Sequence, residues 1–256
     1  MRAMSPRIRH VLLVIVVIAC AAGCSSRDRT EPRGQSASEL YDYAHRQMMS
    51  LDYVGAVEAF ERIESRFPFS IEAQQAQLEL IYAHYKAGNF EESEAASDRF
   101  LREQPRHPDI DYVHYLRGLN NFDRSLNLID AAFDVDPAKR DPTLARKSFQ
   151  SFATLVATFP ESRYAPDAQQ RLVHLRNHLA RYEIHVADYY MRLGAWAGAV
   201  GRAKTVLQEY EQTPSRVDAL VILHNAYREL GLAALADDVA RIVAANHPEA
   251  AARLVD

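Results

Sequence analysis

Cysteine is nearly absent from this sequence. The only two in 256 residues, Cys20 and Cys24, lie within the first 24 positions. The rest of the chain therefore has no thiol for a disulfide, a cysteine metal site or a cysteine nucleophile. Such a protein must be held together by its packed core, and a hydrophobic content of 48% is enough to build one.

An excess of positive charge is also missing. The formal net charge is −4, and removal of a leader that carries three arginines and no acidic residue changes it to −7. Nucleic-acid binding needs a basic surface, and adhesion to a membrane through charge needs clustered cations. The composition therefore argues against both kinds of partner.

Motifs typical of enzymes do not occur. We find no phosphate-binding loop, nucleophile elbow or dinucleotide fingerprint. His174 and His178 are four residues apart, but the glutamate of a metalloprotease helix is missing, so we interpret them as surface histidines. Asp134, Asp136 and Asp141 do not have the spacing of a calcium loop, and we interpret them as helix caps and as partners for Lys139 and Arg140. The sequence predicts no enzyme activity, metal or cofactor.

Residues 1–23 have the pattern of a secretory signal peptide. Three arginines precede an apolar run from Val11 to Ala22, and small residues follow. This run has 12 residues. At about 1.5 Å per residue it is too short for the roughly 30 Å hydrocarbon layer of a membrane.

The end of this leader, Ala21-Ala22-Gly23-Cys24, is similar to the lipobox of bacterial lipoproteins, although Ala21 stands where leucine is usual. The resemblance implies a covalent lipid on Cys24 as the first mature residue. With Ser25 in the next position, it also implies the outer membrane. The alternative is an ordinary signal peptide that is cleaved nearby and leaves a free thiol.

Residues 24–38 are predicted to be a flexible tether. Between Ser25 and Ser38 the only apolar residue is Ala37, so burial cannot offset the entropy lost on ordering. The globular part is predicted to begin near Glu39.

A repeat of 37 residues organises the globular part. Aromatic or small residues recur at the same offsets in four places, beginning at Tyr53, Phe90, Trp196 and Ala233. Such periodicity is typical of helix pairs that bury their apolar faces by stacking and form a curved array with a long binding surface. The small residues at the predicted crossings, the neighbouring aromatics and the closing prolines resemble the tetratricopeptide repeat.

The predicted fold is all-α: a superhelical array of about five tetratricopeptide-like helix pairs with an insertion in the third pair and a long central helix. N-terminal repeats are predicted at 39–122, the insertion at 123–142 and C-terminal repeats at 143–256. The long helix is predicted at 166–193, because this stretch contains no proline or glycine after its first residue.

Four stretches resemble the BamD family of outer-membrane assembly lipoproteins, namely 66–86, 111–122, 140–168 and 178–200. The resemblance covers essentially the whole mature chain. It implies a non-enzymatic scaffold of the β-barrel assembly complex, lipid-anchored to the outer membrane on its periplasmic face. The implied partners are the POTRA domain of BamA, the accessory Bam lipoproteins and unfolded outer-membrane protein precursors.

Two alternatives belong to other classes. One is another periplasmic tetratricopeptide lipoprotein adaptor for envelope or division proteins, for which neither the insertion nor the long helix is expected. The other is a periplasmic hydrolase or metal-binding protein.

The first helix of each pair lines the concave face in tetratricopeptide arrays. This position predicts a precursor groove formed by Tyr41, His45, Tyr82, Tyr85, Lys86 and Tyr115. The aromatic rings would take apolar side chains and Lys86 a chain-terminal carboxylate. The alternative for each ring is packing between repeats. Arg202 is predicted to point outward and to pair with a carboxylate of BamA, the alternative being an exposed arginine without a role.

Overall fold

The computed structural model describes residues 36–125 and 136–254. Within these ranges there are ten α-helices, two 3₁₀ helices and no β-strand, so the all-α prediction is confirmed. The helices form five consecutive pairs: α1 Ala37–Met49 and α2 Tyr53–Arg66; α3 Ile71–Ala87 and α4 Phe90–Glu103; α5 Ile110–Ser125 and α6 Thr143–Thr158; α7 Ala165–Arg192 and α8 Trp196–Glu209; α9 Ser215–Glu229 and α10 Ala233–Asn246. The 3₁₀ helices are Pro137–Lys139 and Pro248–Arg253.

Each second helix ends in the same backbone conformation. The residue after the helix has φ between −127° and −144°, and its carbonyl accepts a hydrogen bond from the backbone N–H three residues later. These residues are Phe67, Gln104, Phe159, Tyr210 and His247. The five identical exits show that the pairs are repeats of one structural unit, although their sequences differ.

At least one small residue lies where the two helices of each pair cross. The crossing positions are Ala44 with Ala56, Ile81 with Ser93, Gly118 with Ser148, Ala187 with Ala199, and His224 with Ala236. In four pairs the two positions are 12 residues apart, and in the third pair the insertion separates them by 30. Where the small residue is serine, its hydroxyl donates to the partner helix: Ser93 Oγ to Ile81 O at 3.0 Å, and Ser148 Oγ to Gly118 O at 2.9 Å.

The long helix α7 joins the third pair to the fourth. It runs from Ala165 to Arg192, 28 residues, one residue earlier at each end than predicted. At 1.5 Å per residue it is about 42 Å long. Along this length it packs against α6, α8 and α9, and its residues Leu172, Leu175 and Leu179 belong to the larger hydrophobic core. The C-terminal repeats are therefore built around one continuous helix.

Two boundaries differ from the prediction. Helix α1 begins at Ala37, before the predicted start near Glu39, because Ser36 forms a capping box: its Oγ accepts from Glu39 N at 3.3 Å and its N–H donates to the Glu39 carboxylate at 3.0 Å. Helix α5 continues to Ser125, three residues past the predicted end of the N-terminal repeats. The signal peptide, Cys24, most of the tether and residues 126–135 of the insertion lie outside the described residues.

Four of the pairs turn through a residue in the left-handed region. Three of these residues are glycine, Gly88, Gly194 and Gly231, with φ of 81°, 70° and 72°. In the first pair the equivalent residue is Leu51, with φ of 63° and a side chain that is 71% exposed. A left-handed conformation is costly for any residue with a Cβ atom.

Leu51→Gly is therefore expected to raise the free energy of unfolding by about 0.5–1 kcal/mol, since little burial is lost and the left-handed strain is relieved. Urea denaturation measures this change. Gly231→Ala, at the equivalent turn with nothing within 4 Å of the position of a Cβ atom, is the reverse control and is expected to lower stability. Equal stability of wild type and Leu51→Gly would show that this turn carries no strain.

Candidate functional site

Aromatic side chains from the first helices of the N-terminal pairs lie close to one another. On α1, the rings of Tyr41 and His45 have centroids 4.7 Å apart, and His45 Nε2 is 3.6 Å from the carboxylate of Glu79 on α3. Burial raises the pKa of Tyr41 to about 12, with a further contribution from the negative charge of Glu79. Tyr41 is therefore a neutral hydrogen-bonding group at physiological pH.

The next contacts lie along α3. Tyr82 packs edge-on against Tyr53 of α2, with centroids 6.3 Å apart. The exposed Lys86 places its Nζ 5.7 Å from the centroid of the same Tyr53 ring. This cation–π contact holds the ammonium beside the aromatic residues and leaves it open to solvent.

Three tyrosines stack where α5 meets the start of α7. Tyr164 precedes α7 and lies parallel to two rings of α5, with centroid distances of 4.7 Å to Tyr115 and 5.2 Å to Tyr112. Because Tyr112 and Tyr115 are three residues apart, both project from one face of their helix. The result is an aromatic platform of three rings. Together with Tyr41, His45, Glu79, Tyr82, Tyr85 and Lys86 we refer to it as the tyrosine surface.

Carboxylates accept hydrogen bonds from two of the predicted groove tyrosines. Tyr85 donates to Asp123, and Tyr115 donates to Asp167 at 2.8 Å. Burial is the main reason that the pKa of Tyr85 is raised and that the pKa of Tyr115 is raised to about 12, and the hydrogen bonds add to it. Arg171 of α7 completes this end of the tyrosine surface, with Nε 2.6 Å from Asp167.

Glu79 lies between α1 and α5 on this surface. Burial raises the pKa of its carboxyl group, and this effect outweighs the opposing attraction of His45. The negative charge of Glu79 also contributes to the raised pKa of Tyr112 on α5, where burial is again the largest cause. A half-buried carboxyl group among tyrosines favours ligands that donate hydrogen bonds, such as peptide N–H groups.

The structure places all six predicted groove residues on the tyrosine surface. The sequence does not predict the charged neighbours of these six residues. They are three acidic groups and a second cation, namely Glu79, Asp123, Asp167 and Arg171. These residues come from three helices that are distant in sequence, and only the stacking of the pairs brings them together. Tyr112 and Tyr164 were missed for the same reason.

Arg202 is not the outward-pointing arginine that the sequence predicts. Its Nη1 donates to the carboxylate of Glu183 on α7 at 2.9 Å, and Arg146 on α6 donates to the other oxygen of this carboxylate at 2.8 Å. Glu183 is 1% exposed, whereas the side chains of Arg146 and Arg202 are 51% and 38% exposed. Helical periodicity gives the face of α8 on which Arg202 lies, but it does not show that a buried carboxylate of α7 packs against that face. We refer to these three residues as the Glu183 clamp.

The interpretation of His174 and His178 as surface residues is confirmed for His174 and wrong for His178. His174 is exposed, but His178 is buried, and burial lowers the pKa of both. His185 Nε2 lies 2.8 Å from Asp136. Asp136 also caps the 3₁₀ helix by accepting from Ala138 N at 3.0 Å, as predicted. Within the described residues its ion-pair partners are Arg181 and His185, and the predicted pair with Lys139 is absent.

The stacked helix pairs and their partly exposed aromatic surface define a tetratricopeptide-like repeat protein, a class that binds other polypeptides. Across residues 36–125 and 136–254, no helix combines the length and apolar character needed to cross a bilayer.

Comparisons with known proteins identify the family. The family described as "YfiO: Outer membrane lipoprotein" matches residues 33–242. Proteins named "Outer membrane protein assembly factor BamD" are similar over most of their length. The protein from Neisseria meningitidis serogroup B is 39% identical over 240 residues, covering 93% of this chain and 90% of the relative. The protein from Xylella fastidiosa is 35% identical over 242 residues, covering 94% and 83%, and that from Vibrio cholerae is 35% identical over 218 residues, covering 85% and 90%.

The chain belongs to the YfiO/BamD family of outer-membrane lipoproteins. It is a protein of the outer membrane with a role in outer-membrane protein assembly. Among solved structures, the crystal structure of MamA protein aligns with 82% of this chain and 95% of its own at a TM-score of 0.39 and 14% identity, a similarity from which we conclude nothing.

Proposed function

We propose that this protein is a non-enzymatic scaffold of the β-barrel assembly complex. In this proposal the N-terminal repeats receive unfolded barrel precursors, and the C-terminal repeats bind the POTRA domain of BamA, with accessory Bam lipoproteins alongside. The observation that carries the proposal is the tyrosine surface, which extends over three helix pairs and combines aromatic rings with carboxyl groups and two cations.

The chemistry of this surface suits an extended peptide. Tyrosine rings offer large contact areas at a low cost in side-chain entropy. Glu79 and the hydrogen-bonded tyrosine hydroxyls can accept bonds from peptide N–H groups, while Lys86 and Arg171 attract a carboxylate. Such a ligand is a precursor segment with alternating apolar side chains that ends in an aromatic residue with a free carboxylate. No step in this binding makes or breaks a covalent bond.

Lys86→Glu is expected to weaken binding of a C-terminal precursor peptide by about three- to tenfold, because an attractive charge becomes repulsive. Fluorescence anisotropy with a labelled peptide measures the change. Amidation of the peptide terminus is expected to weaken binding to the wild type similarly and to strengthen binding to Lys86→Glu, because it removes the carboxylate that the introduced negative charge repels.

A matched control exists in the C-terminal repeats. Lys204 has the same kind of contact as Lys86, with Nζ 5.9 Å from the ring centroid of Tyr227, so Lys204→Glu tests the general effect of one charge reversal. If amidation and Lys86→Glu both leave the affinity unchanged, the proposed carboxylate recognition by this surface is wrong.

The proposed membrane attachment depends on a lipid at Cys24. Cys24→Ala is expected to give a folded protein that no longer binds to outer-membrane vesicles free of BamA. The reason is that the mature chain carries a net negative charge and offers no electrostatic anchor. Vesicle flotation checks this outcome, with unchanged helical circular dichroism as the control for folding. Persistent flotation of the variant with such vesicles would contradict lipidation at Cys24.

The proposed contact with BamA needs revision at Arg202. Its guanidinium is paired with Glu183. However, Arg146 and Arg202 each donate one hydrogen bond to that carboxylate, and both side chains are partly exposed. The free N–H groups of Arg146 and Arg202 can together pair with a POTRA carboxylate. Glu183 then serves to position both guanidinium groups.

A further inference from the structure

A cleft of about 410 Å³ lies along the C-terminal half of α7, away from the tyrosine surface. Its lining residues are Lys139, Tyr182, His185, Val186, Asp188, Tyr189 and Arg192. Six of the seven project from one side of α7 over about three turns, and Lys139 comes from the 3₁₀ helix packed against α7. The volume is within the range of small-ligand and peptide side-chain sites.

Within residues 36–125 and 136–254, two cations of this cleft have no carboxylate within ion-pair distance, although Arg192 interacts with the charge of Asp188 at longer range. Neither Lys139 nor Arg192 forms an ion pair within 4.0 Å in the described part of the chain. Two neighbouring basic groups differ in this respect, because Arg181 pairs with Asp136 at 3.7 Å and His185 pairs with the same aspartate at 2.8 Å. Lys139 and Arg192 are therefore available to an anionic ligand.

The cleft also offers an acceptor and aromatic rings. Asp188 lies between His185 and Arg192, and burial raises the pKa of its carboxyl group, with Asp218 contributing in the same direction. Tyr189 is 50% exposed, and the guanidinium of Arg192 lies 5.9 Å from its ring centroid. A ligand of this cleft must combine an anionic group with a hydrogen-bond donor and an apolar surface.

We propose that this cleft is a second peptide-binding site, which takes a short segment with a carboxylate and an aromatic side chain on the same side. The carboxylate pairs with Lys139 and Arg192, a peptide N–H of the same segment donates to Asp188, and the aromatic ring packs on Tyr182 and Tyr189. This site is distinct from the tyrosine surface, since the two share no residue, and it does not depend on the function proposed above.

The dimensions fit a peptide of this kind. From Tyr182 to Arg192 the helix rises about 15 Å, and an extended chain covers this distance in four to five residues at about 3.3 Å each. Five residues can place an aromatic ring and a carboxylate two positions apart, and therefore on one side of the extended chain, while both ends of the peptide leave the cleft. An internal segment of a partner protein can therefore bind here, and a free chain terminus is not needed.

The test uses a fluorescein-labelled probe, Gly-Phe-Gly-Glu-Gly with both termini blocked, and the purified lipidated protein in detergent. Anisotropy is expected to show binding of this probe that is three- to tenfold tighter than binding of the probe with glutamine in place of glutamate. The double variant Lys139→Gln/Arg192→Gln is expected to bind both probes equally, at the affinity that the wild type has for the glutamine probe.

Two controls locate the binding. Arg228→Gln removes an exposed arginine of α9 outside the cleft, and Lys204→Glu reverses an exposed charge of α8 outside the cleft; both are expected to bind the glutamate probe like the wild type. Lys86→Glu tests whether the probe binds to the tyrosine surface instead. The proposal is overturned if the two probes bind equally to the wild type, if neither binds, or if Lys86→Glu and not the double variant loses the preference for glutamate. The last outcome would assign the probe to the tyrosine surface.

Discussion

Replacement of both Arg146 and Arg202 by alanine is expected to lower the free energy of unfolding by about 3–5 kcal/mol, because it leaves the Glu183 carboxylate buried without a counter-ion. Each single replacement leaves one guanidinium on that carboxylate and is expected to cost less than half as much. Urea denaturation of the two single variants and the double variant gives the coupling between the two arginines.

A triple variant removes the charges of the Glu183 clamp without leaving a buried carboxylate unpaired. Arg146→Met, Glu183→Leu and Arg202→Met together replace the Glu183 clamp by apolar side chains of similar length, and such replacements are often close to neutral in stability. The triple variant is therefore expected to unfold within about 1–2 kcal/mol of the wild type. If instead the double alanine variant is as stable as the wild type, the clamp does not hold α6, α7 and α8 together.

The same triple variant tests the proposed contact with BamA. Because it folds without either arginine, a loss of BamA in pull-downs at low salt reports on the missing guanidinium groups and not on unfolding. We expect this loss and expect Arg216→Met, which removes a half-exposed arginine of α9, to retain BamA. Full retention of BamA by the triple variant would remove Arg146 and Arg202 from the interface.

Gly118→Ala is expected to lower stability by about 1–3 kcal/mol, although alanine favours helices. A Cβ atom at Gly118 would lie 2.4 Å from the nearest ring carbon of Phe152, a fully buried side chain of α6. One of the two helices of the third pair must move to accept it. Thermal and urea denaturation both measure the effect.

Gly201 is the matched control for this substitution. It lies in the exposed part of α8, and nothing is within 4 Å of the position of its Cβ atom. Gly201→Ala is therefore expected to raise stability by about 0.5–1 kcal/mol, the usual gain of alanine over glycine inside a helix. Equal effects at Gly118 and Gly201 would show that α5 and α6 do not cross in close contact.

The 37-residue periodicity predicts the helix pairs well, and the reason is local. Tyr53, Phe90, Trp196 and Ala233, the four positions where the repeat was recognised, are each the first residue of a second helix. Helix boundaries and crossing positions depend on side-chain size and on short-range hydrogen bonds, and these leave a pattern in the sequence. The third crossing, Gly118 with Ser148, was not predicted because the insertion breaks the period.

The tyrosine surface was predictable in part. The rings of Tyr41, Tyr82, Tyr85 and Tyr115 follow from the rule that first helices line one face of an array. The carboxylates that accept hydrogen bonds from these tyrosines do not follow from that rule. Asp167, for example, is 52 residues from Tyr115, to which it is hydrogen-bonded. No local periodicity records which carboxylate meets which hydroxyl.

By itself, the sequence determined the all-α fold, the number of helix pairs, the long helix and the family, because repeat spacing and helix-forming stretches are properties of the chain read in order. Only the tertiary structure decided the surroundings of Arg202. Three helices place Glu183 between Arg146 and Arg202, and the attraction between opposite charges is strong where water is excluded. The environment of a charged side chain is a property of its neighbours in space, and stacking of the repeats selects them.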